Sequence, residues 1–141
     1  MSESDKLWPR MMRRWQPSWP EPAPMQVLLV EDDPLVRDVL AELLEDHGHQ
    51  VIACRNGQEC LDALPAAGER VMLLTDMVLP GRSGRALADE FRRQRPGRPV
   101  MFATGLPADE VPPLKPDEML LLKPFQMSEM LATVDRLAAA A

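Results

Sequence analysis

The chain has 141 residues, of which 45% are hydrophobic, and a net charge of −6. The 117 residues that follow position 24 are enough for one domain with its own core. They carry a charge of −7, which opposes binding to nucleic-acid phosphates. No apolar stretch reaches the roughly 20 residues needed to span a bilayer, and no signal-peptide core is present. We therefore expect a cytoplasmic protein that binds neither nucleic acid nor membrane.

The first 24 residues differ in composition from the rest of the chain. They hold all three tryptophans, five of the fifteen prolines, four basic side chains and three acidic ones. We predict an N-terminal tail over residues 1–24 and one domain over residues 25–141. Pro17 and Pro20 interrupt any helix beyond Gln16. The tail could dock on the domain, bind a partner or stay loose, and translation could also start at Met25.

Beyond the tail, short apolar runs alternate with helical patterns, which predicts strands of a parallel sheet buried on both faces. The predicted strands cover residues 27–30, 50–54, 71–75, about 99–104 and 120–122. Four helices are predicted. The first has an apolar face over residues 35–44, and the second is capped by Asn56 and shortened by Pro65. The third covers residues 84 to about 94, and the fourth has an apolar pattern over residues 127–137. Right-handed crossovers give a three-layer α/β fold, a doubly wound five-stranded parallel sheet.

The segment over residues 106–117 breaks this alternation where a fourth helix belongs. It contains four prolines: Pro107, Pro112, Pro113 and Pro116. An internal proline costs about 3 kcal/mol in a helix. We therefore expect the fourth helix to be short or absent.

Polar residues follow four of the predicted strands. Glu31 and Asp32 follow the first, Asp76 the third, Thr104 ends the fourth and Lys123 follows the fifth. Ligands of doubly wound sheets bind at the carboxyl edge of the strands. The three carboxylates and one ammonium group sum to −2, and like charges about 4 Å apart repel by roughly 4 kcal/mol near a protein surface. Mg²⁺ suits such a site because it takes carboxylate and carbonyl oxygens and bridges to phosphoryl groups.

Asp33 is interpreted differently from its acidic neighbours. Pro34 follows it and suits the first position of a helix, so Asp33 is predicted to be the N-cap. We leave it out of the metal site.

These motifs together resemble the receiver domain of two-component response regulators. The resemblance rests on Glu31-Asp32, the loop from Asp76 to Gly84, Thr104-Gly105 and Lys123-Pro124, in the order and spacing of that family. It covers residues 25–141 and implies the flavodoxin-like receiver fold. The proline-rich segment makes the chain similar in character to receivers of hybrid histidine kinases.

The resemblance also implies roles for individual residues. Asp76 would be the phospho-acceptor, while Thr104 and Lys123 would each contact a phosphoryl oxygen. The implied Mg²⁺ ligands are three carboxylates, with Glu31 acting through a water, and one backbone carbonyl: Glu31, Asp32, Asp76 and Val78. The peptide bond between Lys123 and Pro124 would be cis.

The implied function is that of a stand-alone, Mg²⁺-dependent receiver. It would accept a phosphoryl group from a histidine kinase or a histidine phosphotransfer protein, and then bind a downstream partner, form a homodimer or act as a relay or phosphate sink. It would not be a turnover enzyme, since it would catalyse only its own phosphorylation and dephosphorylation. The alternative is a pseudo-receiver adaptor that works without phosphorylation.

Three further features bear on that function. Leu120 stands where many receivers carry an aromatic switch residue, which puts the usual output face in doubt. Val78 and Leu106 are apolar and cannot orient an attacking water, so we expect slow self-dephosphorylation. Six arginines on or beside the third helix are predicted to form a solvated face rather than a partner-binding patch.

Overall fold

The structure, a computed structural model, describes residues 25–140. Within this range five strands form one parallel sheet: β1 Gln26–Val30, β2 Gln50–Cys54, β3 Val71–Asp76, β4 Val100–Thr104 and β5 Glu118–Leu122. The α-helices in the same range are α1 Pro34–Asp46, α2 Gly57–Ala63, α3 Gly84–Gln94 and α4 Met127–Ala140. The strand order is β2-β1-β3-β4-β5. The predicted doubly wound sheet is therefore confirmed, whereas the tail predicted over residues 1–24 lies outside the described residues.

The sheet carries a hydrophobic core on each face, as a three-layer fold requires. On one face, Leu28 and Val30 of β1 belong to a core that includes residues of α2 and α3. On the other, Val27 and Leu29 belong to a core that includes residues of α1 and α4. All six residues of β3 are buried, which explains why this strand has a continuous apolar run instead of an alternating one.

Local sequence signals set the ends of the helices near the carboxyl edge. Asp33 is the N-cap of α1, and its side chain accepts hydrogen bonds from the N–H groups of Leu35 and Val36. Asn56 caps α2 by accepting the N–H of Glu59 at 2.9 Å. After Ala63 the chain tightens into one 3₁₀ turn that contains Pro65, because proline lacks the N–H group that would continue the helix.

No α-helix forms over residues 106–117, as predicted. The only helical element of this segment is a single 3₁₀ turn, Ala108–Glu110. Leu106, Val111 and Leu114 instead pack partly buried against the α2 and α3 side of the core, together with Leu120 of β5. The effect of Leu120 on the output switch stays a prediction.

The arginines of α3 and of the loop after it do not form the predicted solvated face. Arg85 pairs with the buried Glu118 and with Asp89, and Arg92 approaches Glu118 at 3.8 Å. Arg95 donates hydrogen bonds to the backbone carbonyls of Leu64, Ala67 and Gly68 at 2.7–2.9 Å. The prediction is wrong for these side chains. Arg85 and Arg92 bind the start of β5, and Arg95 binds the loop after α2.

The helices of the described range are short relative to a bilayer. Within residues 25–140, none combines the length and the apolar character needed to cross a membrane.

Candidate functional site

The predicted polar residues converge at the carboxyl edge of the sheet. They surround a cavity of about 500 Å³ at the ends of β1, β3, β4 and β5. All the residues predicted for the site line this cavity: Glu31, Asp32, Asp76, Val78, Thr104 and Lys123. The strand order places β1 beside β3, and connections from these two strands run to opposite faces. The cavity therefore lies at the switch point, where doubly wound sheets bind ligands.

Three carboxylates form the acidic side of the cavity. One oxygen from each of Glu31, Asp32 and Asp76 lies within 4.8 Å of the other two. Glu31 and Asp76 are buried and Asp32 is exposed. Asp33 also reaches the rim of the cavity, but its side chain is used in capping α1.

Lys123 supplies the positive charge that faces these acids. Its Nζ lies 2.6 Å from Asp76 Oδ1 and 3.5 Å from Glu31 Oε2. Burial disfavours the ammonium ion, but its contacts with Asp76 and Glu31 outweigh that effect and raise the pKa of Lys123. The Lys123 N–H donates to the Thr104 carbonyl at 2.8 Å, and the Lys123–Pro124 peptide bond is cis.

Glu31 is the carboxylate whose ionisation the site alters most clearly. Burial is the main cause, followed by a hydrogen bond with Asp76, and together they raise its pKa to about 7. The Asp33 N–H, which donates to Glu31 Oε1 at 3.1 Å, and the charge of Lys123 partly offset this rise. Burial and the neighbouring Asp76 therefore oppose the charged form of Glu31.

The donor set fits a hard divalent cation. Asp76 Oδ1 is buried and accepts no hydrogen bond of regular geometry among the described residues, although Lys123 approaches it. A buried carboxylate beside two further carboxylates is stabilised when a cation neutralises them. Oxygen ligands of this kind are those that Mg²⁺ takes in proteins.

Thr104, at the end of β4, and Val78, in the loop after β3, line the same cavity. Thr104 is buried, and its Oγ1 accepts the N–H of Leu106 at 3.1 Å, which leaves the hydroxyl hydrogen available for a ligand. Val78 follows β3 and is 64% exposed. Leu106 joins Val78 on the cavity wall, so this part of the wall is apolar.

Two residues that support the site, Gly84 and Arg37, were given no individual role from the sequence. A Cβ atom at Gly84 would overlap the carbonyl oxygen of Asp76, and the Gly84 N–H donates to Met77 at 2.9 Å. Only glycine therefore lets α3 begin so close to the end of β3. Arg37 donates from Nη1 to the Glu31 carbonyl at 2.9 Å. The loop between Asp76 and Gly84 gave a signal for the glycine, whereas nothing in the local sequence marks Arg37.

The parallel sheet and the acidic cavity together define a receiver-type α/β domain. A family model, the response regulator receiver domain, matches residues 27–135. The chain belongs to this family. Its members take part in two-component signal transduction, in which phosphorylation and Mg²⁺ binding are general features.

Individual relatives agree with that assignment. The transcriptional regulatory protein TcrA of Mycobacterium tuberculosis is 31% identical over 117 residues, which cover 81% of this chain and 46% of that protein. The chain thus spans less than half the length of this relative. The receiver domain of the hybrid histidine kinase CckA superposes with a TM-score of 0.68 at 30% identity, over 80% of this chain and 98% of that one. The response regulator TrrA of Thermotoga maritima, in complex with Mg²⁺ and BeF, superposes with a TM-score of 0.69 at 25% identity. The match covers 80% of this chain and 98% of that one.

Proposed function

We propose that Asp76 accepts a phosphoryl group from the phosphohistidine of a histidine kinase or a histidine phosphotransfer protein. The observation that carries this proposal is the pairing of Asp76 with Lys123 at 2.6 Å inside a cavity that two further acids line. A carboxylate oxygen of Asp76 can act as the nucleophile, and the ammonium group beside it can balance the negative charge that a transferred phosphoryl group brings. The cavity, at about 500 Å³, is also large enough for a phosphoryl group.

The transfer follows from the chemistry of these side chains. A carboxylate oxygen of Asp76 forms a bond to phosphorus while the bond from phosphorus to the donor imidazole nitrogen breaks. The imidazole leaves with the bonding electron pair. Lys123 would then contact one phosphoryl oxygen and Thr104 would donate its hydroxyl hydrogen to another, which stabilises the charge that the transferred group carries.

We assign the Mg²⁺ site of this reaction to Glu31, Asp32, Asp76 and the backbone carbonyl of Val78. Bound there, Mg²⁺ supplies positive charge against the carboxylates and the phosphoryl oxygens. The clustering of three carboxylate oxygens within 4.8 Å supports this assignment. The complex of the relative TrrA with Mg²⁺ and BeF supports it as well.

The surface beside the cavity supports a protein as the phosphoryl donor. Leu35, Val36 and Val39, here called the α1 patch, are 72%, 36% and 41% exposed. Val36 also lines the cavity. Apolar side chains at the rim of a charged site suit a partner that buries them while it presents its histidine to Asp76.

The setting of this function is also part of the proposal. Histidine kinases take their phosphoryl group from ATP, so we place the receiver in the cytoplasm, where ATP is available. We further propose that it performs no turnover reaction other than its own phosphorylation and dephosphorylation. Three points stay predictions: that the receiver acts without a further domain, that it binds a downstream partner, and that it forms a homodimer.

Incubation with acetyl phosphate and Mg²⁺ tests the proposal. We expect the intact mass to rise by one phosphoryl group in the unsubstituted chain and not in Asp76→Asn, and we expect removal of Mg²⁺ with EDTA to abolish the gain. Asp62→Asn is the matched control, because Asp62 is an exposed acid on α2 whose side chain accepts a hydrogen bond from Gln58 and does not line the cavity. Uptake by Asp76→Asn, or none by the unsubstituted chain, would contradict the proposal and leave the adaptor alternative.

A further inference from the structure

The α1 patch is the largest group of exposed apolar side chains on any one element of the described residues. Within residues 25–140, six large apolar side chains are at least 36% exposed: Leu35, Val36, Val39, Val78, Leu122 and Met127. Half of them belong to the first two turns of α1. Contiguous exposed apolar side chains are a feature of interaction surfaces.

The rest of α1 presents negative charge that the described residues do not neutralise. Four acids of this helix are exposed: Asp38, Glu42, Glu45 and Asp46. None of them forms an ion pair within residues 25–140. The acid Asp135 of α4 differs from these four acids, because His47 and His49 contact it and Arg136 is its neighbour in sequence. A segment that covers α1 should therefore combine apolar and basic side chains.

Residues 6–19 of this chain have that combination. They contain four basic side chains and no acidic one: Lys6, Arg10, Arg13 and Arg14. They also contain every tryptophan of the chain: Trp8, Trp15 and Trp19. Tryptophan and arginine are the residues that most often carry binding energy at interfaces, and opposite charges favour the same pairing.

The chain enters the domain at a point close to α1. Met25 belongs to the core on the face that α1 covers. Its N–H donates to His49 Nδ1 at 3.3 Å, and its carbonyl accepts the N–H of Gln50 at 3.1 Å. Since α1 ends at Asp46, the segment before Met25 begins beside the carboxyl end of α1.

The length of the segment lets the tryptophans reach the α1 patch. The 13 residues of α1 extend over about 20 Å at 1.5 Å per residue. Trp19 precedes Met25 by six residues, which span about 20 Å when extended, and Trp15 reaches farther. The proline-rich segment over 106–117 is a less suitable target, because its apolar residues pack on the opposite face of the sheet from Met25.

We propose that residues 6–19 bind along α1 of the same molecule, with tryptophan side chains on the α1 patch and basic side chains against the acids of the helix. The bound segment covers the surface that a phosphohistidine protein would use and leaves the cavity open to small donors. This consequence rests on the proposed function. The docking itself does not, since it requires no phosphorylation.

Tryptophan fluorescence of the full chain tests the docking, because every tryptophan lies in the segment concerned. We expect emission at shorter wavelength, and several-fold weaker quenching by acrylamide, than in the urea-denatured chain. The double substitution Leu35→Gln with Val39→Gln should shift both values to those of the denatured chain. Met127→Gln is the matched control, because it also removes an exposed apolar side chain (38%) but from α4, and it should change neither value.

Other occupants of the α1 patch give distinct results. A short-wavelength emission that disappears on dilution identifies binding between two copies, and one that requires anionic phospholipid vesicles identifies a membrane surface. Either result overturns docking within one molecule. Emission that matches the denatured chain, or that ignores the α1 substitutions, overturns it as well.

Phosphoryl uptake separates the docking from the proposed function. In the full chain with Arg10→Glu, Arg13→Glu and Arg14→Glu, uptake from a phosphorylated histidine phosphotransfer domain should rise several-fold, while uptake from acetyl phosphate stays unchanged. An unchanged rate with the protein donor overturns the covering of the α1 patch. Failure of the unsubstituted chain to take up phosphate from either donor overturns the proposed function instead, whatever the fluorescence shows.

Discussion

Replacement of Glu118 by glutamine should destabilise the domain strongly. The Glu118 side chain is fully buried at the start of β5, where it pairs with Arg85, lies 3.8 Å from Arg92 and accepts the N–H of Lys115 at 2.7 Å. Glutamine keeps the shape and an acceptor oxygen but removes the charge. The two half-buried arginines then lose their shared partner, although each keeps one exposed aspartate.

The expected size of the effect follows from this burial. Removal of one partner from a buried ion pair costs about 3–5 kcal/mol, and we expect the lower end because Lys115 keeps its acceptor. A loss of about 3 kcal/mol corresponds to a fall of about 10 °C in Tm for a domain of this size. Urea denaturation followed by circular dichroism gives the free energy of unfolding directly.

Glu59→Gln is the matched control for this measurement. Glu59 of α2 pairs at 2.7 Å with Arg55, which precedes the helix, but the Arg55 side chain is largely exposed. Exposed pairs of this kind contribute little to stability, because water screens their attraction. If Glu118→Gln is no more destabilising than Glu59→Gln, the view that the arginines of α3 anchor β5 is wrong.

Three further results are expected. Burial disfavours the charged form of Glu118, but its arginine partners outweigh that effect and lower its pKa below the ordinary 4.5. The stabilisation that the ionised Glu118 gives is therefore complete above pH 4.5 and is lost as the pH falls through the lowered pKa. The difference in unfolding free energy between the native chain and Glu118→Gln should accordingly shrink in acid. Gly84→Ala should reduce folded protein, because its Cβ would overlap the Asp76 carbonyl, whereas Gly105→Ala has open space and should not; soluble yield and Tm distinguish the two. Val78→Gln should speed loss of the phosphoryl group at least several-fold, because an amide at the cavity wall can orient water; equal decay of the phosphorylated mass in both proteins would refute this.

The strands and the site were predictable because their signals are local. The buried strand β3 appears as an unbroken apolar run, and the acid that ends it, Asp76, lies at the carboxyl edge by the topology of parallel sheets. The cap at Asp33 and the prolines of 106–117 act through their own backbone geometry, so they too could be interpreted from the sequence alone.

Features that depend on packing between distant elements were not predictable in the same way. The apolar face of α1 extends from Leu35 to Leu44 in the sequence, yet only Leu40 and Leu44 are buried in the core. The first turn lies at the cavity, where Val36 lines the wall, instead of over the sheet. The pairing of Arg85 with Glu118 joins residues 33 positions apart, and no local pattern distinguishes such an arginine from one on a solvated face.

The location of the phosphoryl group is the most direct test of the central claim, which is that Asp76 carries it. Borohydride reduces an aspartyl phosphate to homoserine, so the phosphorylated chain can be reduced, digested and mapped by mass spectrometry. We expect homoserine at position 76 and unmodified aspartate at Asp32 and Asp33. Homoserine at either of those positions, or none in a chain that has gained phosphoryl mass, would contradict the account.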